Sequence, residues 1–190
     1  MSDTRVAALK AHIASLEARI ERLRQMAYLD EQTGIYTLRA LYDLGQRELE
    51  RARRFGRPLG LVALHVHGLV DLGKRHGSFV ADELLTALAE LCDARTRATD
   101  LVALLDEETL AILLPETAGP QVEEVATRLL EQVHRSTFVT YFGEQQLTIC
   151  VGAVGLLPAE EPSEPFAALV ERALAALEQA HAGEGLTVWF

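Results

Sequence analysis

From about residue 40 onward the apolar residues of this chain change period repeatedly, with three-and-four spacings giving way to short alternating or continuous runs, and this alternation restricts the fold most. Residues 40–54 carry a helical pattern studded with Arg and Glu, residues 59–67 read as a strand, and residues 79–94 are helical with Leu84, Leu88 and Leu91 on one face. Residues 101–105 and 110–114 are short apolar strands joined by Asp106-Glu-Glu-Thr109, a hairpin pattern. Residues 121–133 are helical through Val122, Val125, Leu129 and Val133; residues 137–142 and 146–154 are expected to pair with each other around Gly143-Glu144. A Pro/Glu-rich loop, a helix over 166–180 and a last strand over 186–190 complete the chain. Helices alternating with strands and hairpins predict an α/β (α+β) sandwich built on one central sheet.

The first segment differs in kind. Val6, Leu9, Ile13, Leu16, Ile20, Leu23 and Ala27 place one apolar stripe along a helix at the heptad period, uninterrupted by Gly or Pro, with Ser2 or Asp3 available as the cap. The order of β-branched and Leu positions favours two parallel strands, so residues 6–27 are expected to hold a homodimer. Flanking charges leave the orientation open, since His12 and Glu17 attract across the seam while Arg19 and Arg24 repel. The alternative is a single amphipathic helix folded back on the domain. The expected organisation is therefore a dimerisation helix over 1–28 and one domain over 29–190.

Composition narrows the function. A formal charge of −10 in 190 residues argues against a nucleic-acid partner, because phosphate backbones need a clustered Lys/Arg surface. Cys92 and Cys150, far apart and each inside an apolar segment, read as reduced core residues. No apolar run reaches the length of a membrane span, and Met1-Ser-Asp-Thr reads as a natural start without a secretory signal. A cytoplasmic protein with no membrane partner is expected.

In residues 61–70 an apolar strand carries His65 and His67 one residue apart, so both imidazoles face one side. With Glu108 they suggest a two-His-one-carboxylate metal set, and the competing reading makes them polar residues on a rim strand. No metal or other cofactor is expected.

Tyr28-Leu-Asp-Glu-Gln-Thr-Gly-Ile-Tyr36 directly after a coiled-coil helix resembles the opening motif of GGDEF domains, the diguanylate cyclase family. The resemblance continues in order through Arg51-Ala-Arg-Arg-Phe-Gly-Arg-Pro58, Leu113-Leu-Pro115 and Ile149-Cys-Val-Gly-Ala153. It implies a central, mostly antiparallel sheet wrapped by helices, similar to adenylyl cyclases. At the catalytic positions the chain departs from the family. Where the family carries Asp-x-Asp-x-Phe-Lys, this chain has His65, His67, Leu69 and Val70, and Asp106-Glu-Glu-Thr-Leu110 replaces Gly-Gly-Asp-Glu-Phe. Of the family's metal carboxylates only Glu108 matches; Thr109 stands beside it; guanine recognition keeps Asp82 but has Gly73 in place of Asn; His181 and Gly185 stand at about the places of two phosphate-binding cations. Asp106 and Glu107 would set negative side chains against a polyphosphate where the family needs bare backbone. The resemblance thus implies a domain without cyclase activity.

One family element matches in full. Arg97-Ala-Thr-Asp100 has the Arg-x-x-Asp spacing and the location of the family's inhibitory site for cyclic di-GMP, and Arg128 falls where the family commonly adds a third basic residue. Arg forms a fork to guanine O6 and N7, and Asp accepts from guanine N1–H and N2–H. Two functions follow as expectations: a cyclic di-GMP receptor that passes its ligand state to an unknown protein partner, or a ligand-independent dimerisation scaffold; a third, a divergent active cyclase or GTP- or metal-binding domain, needs metal and triphosphate contacts that the sequence lacks.

Overall fold

The computed structural model describes residues 28–157, 164–181 and 185–189, and in the N-terminal segment His12, Ile13, Ser15, Leu16, Arg19 and Leu23. Those six are helical, and Ile13, Leu16 and Leu23 are exposed by 47, 45 and 60% on one chain. Val6, Leu9, Ile20 and Ala27 of the expected seam lie outside the described residues.

Helix α1 (Leu38–Phe55) starts at Thr37, whose hydroxyl accepts from the Ala40 N–H, and stops at Gly56 in the left-handed conformation. Strand β1 (Leu59–Val66) follows, then α2 (Leu69–His76), α3 (Ser78–Arg95), the hairpin β2 (Leu101–Leu104) and β3 (Thr109–Pro115), and α4 (Gly119–Arg135). The small pair β4 (Phe138–Thr140) and β5 (Gly143–Gln145) precedes β6 (Ile149–Leu156), α5 (Phe166–His181) and β7 (Leu186–Trp189).

The main sheet has the order β2-β3-β1-β6-β7. Every neighbour is antiparallel except β6 and β7. β1 and β6 read as continuous apolar runs because helices cover both faces of the sheet. Val62, Leu64 and Val66 join α3 and α4 in one core, while Leu61 and Ala63 join α1 and α5 in the other. Gly152 makes the second packing possible: a Cβ there would stand 2.2 Å from Leu177 N and 2.6 Å from Ala173 O, so α5 approaches to backbone contact.

Three expectations need correction. The stretch 137–154 is not a single hairpin: β4 pairs only with β5, and β6 leaves to pair with β1 from Val66↔Ile149 to Leu59↔Leu156. The first strand ends at Val66, so His67 stands in the turn after it, its N–H donating to Thr148 O at 2.9 Å. Helix α2 is an element that periodicity did not reveal, since Gly68 and Gly77, both with positive φ, close it after eight residues. Cys92 and Cys150 are both buried, as expected of core residues. Among the described residues no helix is long and apolar enough to cross a membrane.

Candidate functional site

Two concave regions hold several of the residues singled out above, and they differ in charge. The larger, a cleft of about 730 Å³ between the β2–β3 turn, α2 and α3, is lined by Gly73, Asp82, Asp106 and Glu107 together with Asp30 and Lys74. Four carboxylates thus face one ammonium, and Lys74 Nζ lies 3.2 Å from Asp71. Asp30 is already engaged, its Oδ1 accepting from the Thr33 hydroxyl and N–H at 2.8 and 2.9 Å. At Gly73, which lines the cleft, α2 packs closely on α3: a Cβ there would meet the Ala81 Cβ at 3.2 Å.

The turn that ends this cleft is internally braced. Asp106 Oδ1 accepts from the Glu108 N–H at 2.9 Å, an Asx turn that needs no glycine. Glu108 Oε1 accepts from the Val70 N–H at 2.8 Å, so this carboxylate caps the first turn of α2, where the free N–H groups favour negative charge. His65 lies opposite buried Thr109 in the sheet, its Nδ1 3.2 Å from the Thr109 hydroxyl, and its ring meets that of His67 edge-on at 5.4 Å. The two imidazoles do share a side. Among the described residues no three His, Cys, Asp or Glu side chains are arranged to hold a metal ion, so His65, His67 and Glu108 do not come together as the ligand set that their types suggested. Gly185 lies just before β7 and its carbonyl accepts from the Val151 N–H, while the His181 side chain lies outside the described residues.

The second region is a pocket of about 430 Å³ between the end of α3, the turn after it and α4. It brings together Arg97, Asp100 and Arg128, which are separated by up to 31 positions in the chain. α3 stops at Thr96, whose hydroxyl donates back to Cys92 O at 3.0 Å. The chain then turns, the Asp100 N–H donating to Arg97 O at 2.9 Å and the Arg97 N–H donating to Asp100 Oδ2 at 2.8 Å. This pair of hydrogen bonds fixes the Arg-x-x-Asp spacing as a closed turn with both residues lining one pocket. The other oxygen, Asp100 Oδ1, is buried and has no hydrogen-bond partner. Arg128 is held from α4 across the pocket by its Nη2, which donates to Arg95 O at 3.1 Å.

Arg95, Gln121 and Glu124 also line this pocket, and the sequence reading did not include them. The signal was present in the Arg95-x-Arg97 pair and in the four-residue step from Glu124 to Arg128 on one helix face. Three arginines against two carboxylates make this a cationic hollow in a chain of net charge −10. Arg97 and Arg128 are exposed, so as isolated ion pairs they would contribute little to folding stability.

Comparison with known proteins gives a consistent picture. Residues 27–185 match the family described as diguanylate cyclase, GGDEF domain. The chain is 24% identical over 175 residues to response regulator PleD of Caulobacter vibrioides, an alignment that covers 91% of this chain and 38% of PleD. It therefore spans well under half of that relative's length. The fold is similar to that of the FimX GGDEF domain from Pseudomonas aeruginosa, with a TM-score of 0.77 and 24% identity, covering 86% of this chain and 99% of that one. It is equally similar to the coiled coil and GGDEF domain of DgcB from Caulobacter crescentus, solved in complex with c-di-GMP, with a TM-score of 0.77 at 19% identity over 98% of each chain.

Proposed function

We propose, from the premise that this chain belongs to the GGDEF domain family of diguanylate cyclases, that it is a cyclic di-GMP receptor that has lost cyclisation chemistry. The observation that carries the reading is the pocket where Arg97, Asp100 and Arg128 converge. Its groups suit the ligand: an Arg97 fork complements guanine O6 and N7, the Asp100 carboxylate complements guanine N1–H and N2–H, and the Arg95–Arg128 side offers cations to the phosphates. That the related DgcB domain was solved with c-di-GMP supports the ligand class.

Loss of catalysis is inferred from the other cleft. Phosphoryl transfer depends on metal ions and cations that neutralise the charge developing on the transferred group. The carboxylate at Glu108 caps α2, His65 is engaged with Thr109, and Asp106 and Glu107 add charge of the same sign as a triphosphate. These residues do not fit the metal that the family's chemistry uses, and no catalytic step is assigned to them. In the receptor reading a dimer formed through residues 6–27 sets two arginine pockets in one particle and passes their state to a protein partner.

Thermal unfolding tests the ligand assignment. Cyclic di-GMP at about one hundred times its Kd should stabilise the fold by ~2.7 kcal/mol. In a domain of this size that is a rise in Tm of about 5–11 °C. GTP with Mg²⁺ should give no rise and no cyclic product, and Asp100→Ala should remove the effect of cyclic di-GMP. Product formed from GTP, or an unchanged response in Asp100→Ala, would contradict the proposal; no rise with any nucleotide would favour the ligand-independent scaffold.

A further inference from the structure

A third cavity, of about 300 Å³, lies beneath the segment that joins the N-terminal helical stretch to α1, and Ile35, Tyr36, Glu90, Asp93 and Val102 are among its walls. Asp100 lines this cavity and the arginine pocket alike. The joining segment, residues 28–37, is strapped to the edge of the sheet rather than packed loosely over it. The Tyr36 N–H donates to Val102 O at 2.9 Å and the Leu104 N–H donates to Tyr36 O at 2.8 Å, while the Thr37 N–H closes the strap on Tyr28 O at 2.9 Å. β2, which receives Tyr36, begins at Leu101, the residue after Asp100. A wall residue of the binding pocket is therefore continuous with the strand that holds the strap.

Asp100 is not ready for a base in this state. Its Oδ2 is occupied by the Arg97 N–H and its Oδ1 is buried without a partner, an arrangement that is unfavourable for a carboxylate oxygen. Meeting the N1–H and N2–H edge of a guanine requires the carboxylate to turn outward, which removes that buried oxygen from the wall between the two cavities.

We propose that occupancy of the arginine pocket is transmitted through Asp100 and β2 to the strap, holding Tyr36 more firmly on the sheet edge and so fixing the direction in which the N-terminal helix leaves the domain. The inference rests on the receptor reading above. Coupling between two sites is reciprocal, so a perturbation that opens the strap weakens ligand binding, by at most the factor with which ligand holds the strap shut. Gly34 provides such a perturbation, since it has φ +72° with nothing within 4 Å of the place a methyl would take, and it does not line the arginine pocket. Gly34→Ala strains the strap through its backbone alone.

The test is amide hydrogen exchange on the full chain with and without saturating cyclic di-GMP, paired with calorimetric titration of the Gly34→Ala variant. Exchange at Tyr36 and Leu104 should slow about fivefold or more on saturation, and Gly34→Ala should weaken cyclic di-GMP binding by up to that factor. Saturable binding with unchanged exchange at these two amides, or with tighter binding in Gly34→Ala, overturns the transmission and leaves the receptor reading standing. Absence of any binding to the wild-type chain overturns both.

Discussion

Replacing Glu108 by Ala separates the two roles that a carboxylate at this position can have. The structure gives it a folding role: its Oε1 accepts from the Val70 N–H at 2.8 Å at the start of α2, and its own carbonyl accepts from the Val66 N–H at 2.8 Å, which ties the β2–β3 turn to the end of β1. The backbone bond survives truncation of the side chain, so only the cap is lost. A charge-assisted cap of this kind contributes about 1–2 kcal/mol. That corresponds to a fall in Tm of ~2–8 °C for a domain of this size. Glu108→Gln, which keeps an oxygen acceptor but not the charge, should fall less. The assay is circular dichroism melting of the three proteins side by side, with and without Mg²⁺ or Mn²⁺. The metals should shift none of them. If Glu108→Ala melted with the wild type while metal ions stabilised the wild type alone, the carboxylate would be a ligand and the capping argument would be refuted.

Other consequences can be checked with standard measurements. Gly152→Ala places a methyl against the α5 backbone and should cost about 1–3 kcal/mol in urea unfolding; a loss below ~0.5 kcal/mol would mean that α5 does not approach as described. Burial, and then the neighbouring charge of Asp93, pushes the Cys92 thiol up to about 12 from 9.0, so the folded chain keeps this proton at pH values where the unfolded chain releases it. The associated stability is complete below pH 9 and declines as the pH rises toward 12; Cys92→Ala should flatten that decline in denaturant midpoints, and an identical decline in the variant would contradict the assignment. Ile13, helical and 47% exposed on one chain, should be covered in the dimer, so Ile13→Asp should convert a dimer to a monomer in light scattering, and an unchanged mass would remove Ile13 from the interface.

Much of the fold was legible because burial on this sheet follows simple parity. Alternate residues of β1 enter opposite cores, and the helical stripes of α3 and α4 supply one of those cores. The pairing of β6 was not legible, because a continuous apolar strand fits any neighbour, and only three dimensions show that β4 and β5 already satisfy each other. Helix α2 was hidden by brevity and by the glycines at both of its ends. The Arg97, Asp100 and Arg128 constellation was readable from spacing within a family framework. Arg95 was legible only as the neighbour of Arg97 two positions on, since the carbonyl by which it also holds Arg128 leaves no mark in a sequence. Gly73 shows the opposite case: beside the lost base contact that the sequence suggests, space adds a close approach to the Ala81 methyl on the facing helix.

The central claim is that the arginine pocket, and not the acidic cleft, is the working site. Isothermal titration of cyclic di-GMP into the wild-type chain and the Arg97→Ala variant tests it most directly, with GTP–Mg²⁺ as the control ligand. The account predicts saturable heat at micromolar or tighter Kd for cyclic di-GMP, its loss in Arg97→Ala, and no heat for GTP–Mg²⁺. Equal binding by wild type and Arg97→Ala, or binding of GTP–Mg²⁺ in its place, would contradict it.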